Sequence, residues 1–159
     1  MREQSLAFLK TLVNTPSPVG HEVRGQRVWL DYVGQFAVEF LRTANIQCRL
    51  DLPDHPPLHP VSAEARHNVF LAVKEALNNV VRHAGASEVK LSISAGENSG
   101  RVVVEDNGRG FAAMPTANGA DGLQNMRQRM NEIGGHFEVE SRPGKGTRIT
   151  LEFPWLNKN

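Results

Sequence analysis

Two pairs of short strand-like stretches, split by one helical run, restrict this chain to few folds. Glu88–Ser94 and Arg101–Asp106 are rich in strand formers and joined by Gly96-Glu97-Asn98-Ser99-Gly100. His136–Ser141 and Thr147–Phe153 repeat the arrangement across Arg142-Pro143-Gly144-Lys145-Gly146. Alternating strands present one apolar face, and that face needs a covering layer. A helix from Gly122 to about Ile133, stopped by Gly134-Gly135, lies between the pairs. Strands that neighbour in sequence beside a few helices imply an α+β fold, a two-layer α/β sandwich.

The first half supplies the other helices. Ser5 to Val13 reads as a short helix stopped by Thr15-Pro16-Ser17-Pro18-Val19-Gly20, and a second run extends from Glu22 to about Thr43. Ile46–Leu52 alternates as a strand, and the proline-rich connector Pro53–Pro60 excludes helix and central strand alike. Ser62, with Glu64 in the following turn, opens the strongest helix, which runs to about His83 and is closed by Gly85.

Charge and cysteine content remove several function classes. A net charge of +1 gives no electrostatic case for nucleic acid, and interspersed charges give none for a polybasic membrane patch. The lone Cys48 excludes an internal disulfide and, with no second cysteine nearby, speaks against a zinc knot. None of the six histidines shows HExxH spacing. No apolar run approaches the roughly 18–20 residues of a membrane span, and the N-terminus lacks a signal-peptide core. The expectation is a soluble, cytoplasmic protein or fragment.

Chemistry concentrates in three places. At 105–111 (EDNGRGF) a strand ends in the carboxylate of Asp106, followed by Gly108 and Gly110. Such a carboxylate accepts a hydrogen bond from an amine, and paired glycines let a flat ligand lie on bare backbone, which suits adenine. The same Asp-Asn-Gly is also good hairpin-turn chemistry. In the helix over 62–83, Phe70, Val73, Leu77, Val80, Val81 and Ala84 share one face, while Asn68, Glu75, Asn79 and Arg82 share the other with His83 at its edge. A solvated face explains that pattern. Yet asparagine is a poor helix former, and acid, amide and base stack at i, i+4 and i+7, where all three reach one ligand. Magnesium takes few protein oxygens, so the Asn79 amide suits it, with Glu75 placed to orient or deprotonate an acceptor and Arg82 to offset phosphate charge. Last, the small-residue loop 112–121 (AAMPTANGAD) reads as a mobile cover or a plain surface loop. It enters a helix at Gly122-Leu123 whose N-terminal amides suit a phosphate. Arg127 or Arg129 in that helix would reach a phosphate or line a solvated basic face. Gly144-Lys145-Gly146-Thr147 is either a simple hairpin turn or a threonine hydroxyl set beside a bound base.

EALNNVVRHA (75–84), EDNGRGF (105–111), DGLQNMRQRM (121–130) and GKGTRITLEFP (144–154), in that order, strongly resemble the ATP-binding domain of sensor histidine kinases, within the GHKL ATPase superfamily. The likeness covers about residues 32–154 and is greatest to the subgroup containing nitrate/nitrite sensors. It implies a Bergerat-type sandwich, with a mixed, largely antiparallel sheet backed by helices, and ATP and Mg2+ as ligands. It further implies Asn79 as the magnesium-binding asparagine, Glu75 as the acidic catalytic position, and Arg82 and His83 as phosphate contacts. Asp106 takes the adenine-reading role, with Gly108 and Gly110 shaping the pocket, Gly122 and Leu123 forming the second glycine box, and Thr147 near the base. Ala120 stands where relatives carry the first glycine of that box.

The partners implied are a histidine-bearing dimerisation domain and a response regulator. The phosphoacceptor helix of such kinases has no counterpart here; Pro16, Pro18 and Gly20 break any helix leading to His21-Glu22. Residues 1–30 look instead like the opening of a zinc aminopeptidase, without that family's metal motifs. This divides the chain into a helical extension (1–30), suited to covering the sandwich or to self-association, and an ATPase-like domain (31–159). Two further functions fit the same residues: a nucleotide-sensing or partner-binding module without transfer activity, and a serine kinase of the anti-sigma-factor type.

Overall fold

The computed structural model describes residues 22–55, 59–112 and 119–156. Its elements are α1 (Glu22–Arg42), β1 (Gln47–Asp51), α2 (Ala63–Asn79), β2 (Glu88–Ala95), β3 (Ser99–Asp106), α3 (Gly119–Glu132), β4 (His136–Ser141) and β5 (Thr147–Pro154). The helix expected over 5–13, His21, and residues 113–118 of the expected cover loop lie outside the described residues. The division expected after residue 30 falls inside α1, which runs unbroken to Arg42 with Trp29 and Leu30 in the core.

One five-stranded sheet forms in the order β1-β2-β3-β5-β4, with β1 parallel to β2 and every other pairing antiparallel. It is the mixed, largely antiparallel sheet that the resemblance implied. The last hairpin is turned so that β5, not β4, pairs with β3. Asp106 consequently stands opposite Thr147. Alternation gives the sheet one covered side: Val89, Leu91, Val102, Val104, Ile149, Leu151 and Phe153 are buried, whereas Lys90, Arg101, Glu105 and Arg148 are exposed.

The helices cover the apolar side. Helix α1 contributes Trp29, Leu30, Val33, Ala37 and Leu41, spaced for one face of a helix. Helix α2 begins at Ser62, whose hydroxyl accepts from Ala65 N–H at 3.0 Å, and buries Val69, Val73, Ala76 and Leu77. Helix α3 packs Leu123, Met126 and Met130 against α2, so part of the polar face of α2 is covered rather than solvated. Asn68 is buried there, and its amide donates to the Arg129 carbonyl at 3.2 Å and to Glu132 at 3.4 Å. Val81, expected on the apolar face, is exposed instead.

Candidate functional site

Helix α2 does not keep its α geometry to His83. Over Val80–Ala84 it widens into a π turn, closed by Gly85 at φ 60°. Each hydrogen-bonded ring in a π turn encloses one more residue, so the side chains beyond Asn79 are re-aimed. At about 100° per residue, Arg82 would stand about 60° to one side of Asn79, close to the Glu75 row. At the roughly 80° per residue of a π turn, Arg82 falls about 120° away while His83 stays within about 40°. Accordingly His83 and Asn79 line a cavity of about 300 Å³, and Arg82 does not.

The cavity's other wall is the end of β3. Asp106 is only 8 % exposed, and its Oδ1 accepts the Gly108 N–H at 2.8 Å. Burial pushes its carboxyl above the ordinary range, partly offset by hydrogen bonds from the Gly108 and Thr147 amides. Asn107 points away and clasps β2: its Oδ1 accepts from the Ser87 and Glu88 amides, both at 3.0 Å. This local clasp, rather than a hairpin turn, is what Asp-Asn-Gly builds here.

Glycines let three segments close around Asp106. A Cβ at Gly108 would run into the Ala84 carbonyl, and one at Gly110, at φ 60°, into the Arg142 carbonyl. Arg109 between them donates its backbone N–H to Ala84 at 2.8 Å and its Nε to the His83 carbonyl, and its own carbonyl accepts from Gly144 at 2.6 Å. Ser141 Oγ lies 2.8 Å from Thr147 Oγ1 and accepts the Phe111 N–H at 2.9 Å.

Of the residues singled out in the sequence, Asn79, His83, Asp106, Gly110, Leu123 and Thr147 line this one cavity, whose floor is Ala76, Val80, Val104 and Ile149. Gly108 braces it from behind. Gly122 lies against the Glu75 carboxylate and the Asn79 amide, bringing the first turn of α3 to both. Glu75 itself lines a neighbouring groove with Asn78, Lys74 and Arg129. Arg127 sits over the Phe137 ring, 5.2 Å from its centroid, on the β4 side. Two cavity residues escaped the sequence reading, Arg109 and Phe111. Their signal was present, since both belong to the glycine motif.

Residues 65–157, more than half of the chain, match the family of histidine kinase-, DNA gyrase B- and HSP90-like ATPases. The chain belongs to this ATPase family. Among curated members it is 36% identical over 116 residues to the sensor histidine kinase LiaS of Bacillus subtilis, covering 73% of this chain and 31% of that protein. It is also 36% identical over 86 residues to the histidine-protein kinase/phosphatase DegS of Brevibacillus brevis, covering 54% of this chain and 22% of DegS. The chain thus spans a third or less of these relatives. Among solved structures, the histidine kinase domain of the Erythrobacter litoralis blue-light-activated kinase superimposes with a TM-score of 0.66 at 26% identity, covering 79% of this chain and 64% of that one. The ATPase-family sandwich and the cavity within it are therefore the frame in which these side chains act.

Proposed function

We propose that this domain is the ATP-binding catalytic domain of a two-component sensor histidine kinase. In this reading it binds Mg-ATP and donates the γ-phosphoryl to a histidine on another domain or chain, from which a response regulator is charged. The observation that carries it is the buried Asp106 carboxylate in the wall of a cavity floored by apolar side chains, in a chain whose relatives are named as histidine kinases. A buried carboxylate needs donors, and two backbone amides leave it acceptor capacity. The exocyclic amine of adenine supplies a further donor, while Val104, Ile149 and Leu123 cover the ring.

The phosphate tail then runs past Thr147 and His83 toward Asn79, Glu75 and the first turn of α3, where amides and the positive helix end favour anions. Magnesium fits this end. Among the described residues no group of three or more His, Cys, Asp or Glu side chains is arranged to hold a metal ion. A divalent ion here would rest on the Asn79 amide oxygen and the phosphates, the few-ligand mode magnesium favours. Bound there, it would neutralise phosphate charge. Glu75, beside Asn79, is placed to orient the acceptor imidazole and take its proton. Phosphoryl transfer needs positioning and charge compensation more than covalent help, and this arrangement offers both.

No described helix is long and apolar enough to cross a membrane. The reading therefore treats this domain as a water-exposed catalytic unit acting in the cytoplasm. Incubation with γ-labelled ATP and a histidine-bearing helical domain tests it. Acid-labile label on the acceptor histidine supports the kinase. Acid-stable label on a partner serine, or binding without any label, replaces it with a serine kinase or a sensing module.

A further inference from the structure

We infer that Ser141 is a positioning residue for base recognition, its hydroxyl at the end of β4 fixing how the Thr147 side chain presents its oxygen to the cavity. This rests on the nucleotide reading above. Because β5 lies between β3 and β4, three strand ends meet in one row, with Asp106 opposite Thr147 and Thr147 opposite Ser141. The Thr147 backbone N–H donates to the Asp106 carboxylate, and the Thr147 hydroxyl lies 2.8 Å from that of Ser141. Asp106 and Thr147 line the cavity. Ser141 does not, so it acts through Thr147. The hydroxyl and methyl of threonine are close in size, so packing alone discriminates poorly between rotamers that exchange them, and a hydrogen bond decides.

Ser141 is itself held by backbone on both sides of the cavity. Its Oγ accepts the Phe111 N–H at 2.9 Å and donates to the Gly146 carbonyl at 3.1 Å. A hydroxyl has one proton and two lone pairs. Given to Gly146, the Ser141 proton leaves a lone pair for Thr147 to donate to; given to Thr147, it frees the Thr147 proton for a ligand. The pair can therefore meet a donor or an acceptor without moving a heavy atom. Adenine sets an acceptor ring nitrogen beside its exocyclic amine. With the amine on Asp106, that nitrogen falls to the Thr147 hydroxyl, directly or through one water.

Mg-ATP affinity reads this. Ser141→Ala is expected to weaken binding about five- to tenfold, as one lost hydrogen bond would. Ser141→Thr keeps the hydroxyl and should stay within about twofold of wild type. In a Thr147→Val background, which keeps the shape and removes the hydroxyl, Ser141→Ala should cost less than about twofold. The analogue 1-deaza-ATP keeps the amine and has carbon in place of that ring nitrogen. It should bind wild type and Ser141→Ala within about twofold of each other. A purely structural role predicts equal losses for both nucleotides and effects that multiply with Thr147→Val. Either result overturns the inference, as does wild-type affinity in Ser141→Ala. Should Ser141→Ala fail to fold, Ser141→Cys, a far weaker hydrogen-bonding group, takes its place. Wild-type protein that binds neither nucleotide overturns the nucleotide reading itself, and this inference falls with it.

Discussion

The two ends of the sandwich use the same strands to opposite effect. Along the covered face of β3, residues run Gly100, Val102, Val104, Asp106, and along β5 they run Phe153, Leu151, Ile149, Thr147. At the Gly100–Phe153 end, aromatic rings close the layers. Trp29 meets Phe153 edge-on at 6.0 Å, Phe153 meets Trp155 at 5.8 Å, and Trp155 Nε1 donates to the Gly96 carbonyl at 3.1 Å. The void left there is about 10 Å³, against about 300 Å³ at the Asp106–Thr147 end. Along β5 the side chains shrink from Phe153 to Thr147, both strands end in a polar residue, and the gap left unfilled there becomes the cavity. Stability and binding are therefore expected to separate in space.

That separation is breakable by experiment. Phe153→Ala removes a fully buried ring and should cost about 3–5 kcal/mol of stability in chemical denaturation. The affinity of the molecules that remain folded for Mg-ATP should not change. A parallel loss of affinity would show that the ends are coupled. Asp106→Asn is the mirror experiment, with binding weakened about 100-fold or more and the thermal midpoint held or raised. A large fall in stability would mean that Asp106 serves the core. Asn79→Ala should weaken binding about tenfold in magnesium and far less with the metal chelated, as a ligand to the ion would. Equal losses in both conditions would remove Asn79 from the metal's shell.

The smallest effect concerns pH. Because burial raises the folded Asp106 carboxyl above its unfolded value, the folded state binds that proton more tightly. Its contribution to stability is fully present below the unfolded pKa and is lost as pH rises through the folded one. Asp106→Asn should therefore gain slightly on wild type at neutral pH, and the gain should fade on acidification into the carboxylate range. A difference independent of pH would contradict a desolvated carboxylate.

Much of this was legible from residue order. Alternation and glycine turns placed β2 to β5 within a few residues, because those signals are local. The insertion of β5 between β3 and β4 was not, since strand order depends on which faces meet. The burial of Asn68 was not legible, because a helical wheel records faces but not the neighbour that covers one; α3 does so from 61 residues away. The π turn left no mark in the pattern around Val80–Ala84. One of its fastenings, the Arg109 side chain, arrives from 26 residues later. Asp106, Gly110 and Thr147 were readable because their motifs stand in order with two others; taken singly, each motif fits a turn as well.

The central claim is that Asp106 reads the amine of a purine. It is tested most directly by titrating ATP and GTP, each with magnesium, into the same wild-type protein by calorimetry. Guanine carries a carbonyl where adenine has its amine, and a carbonyl facing a buried carboxylate sets acceptor against acceptor with no donor between them. The account predicts single-site binding of ATP at least about 100-fold tighter than GTP. Equal affinities, or no heat with ATP on folded protein, would contradict it.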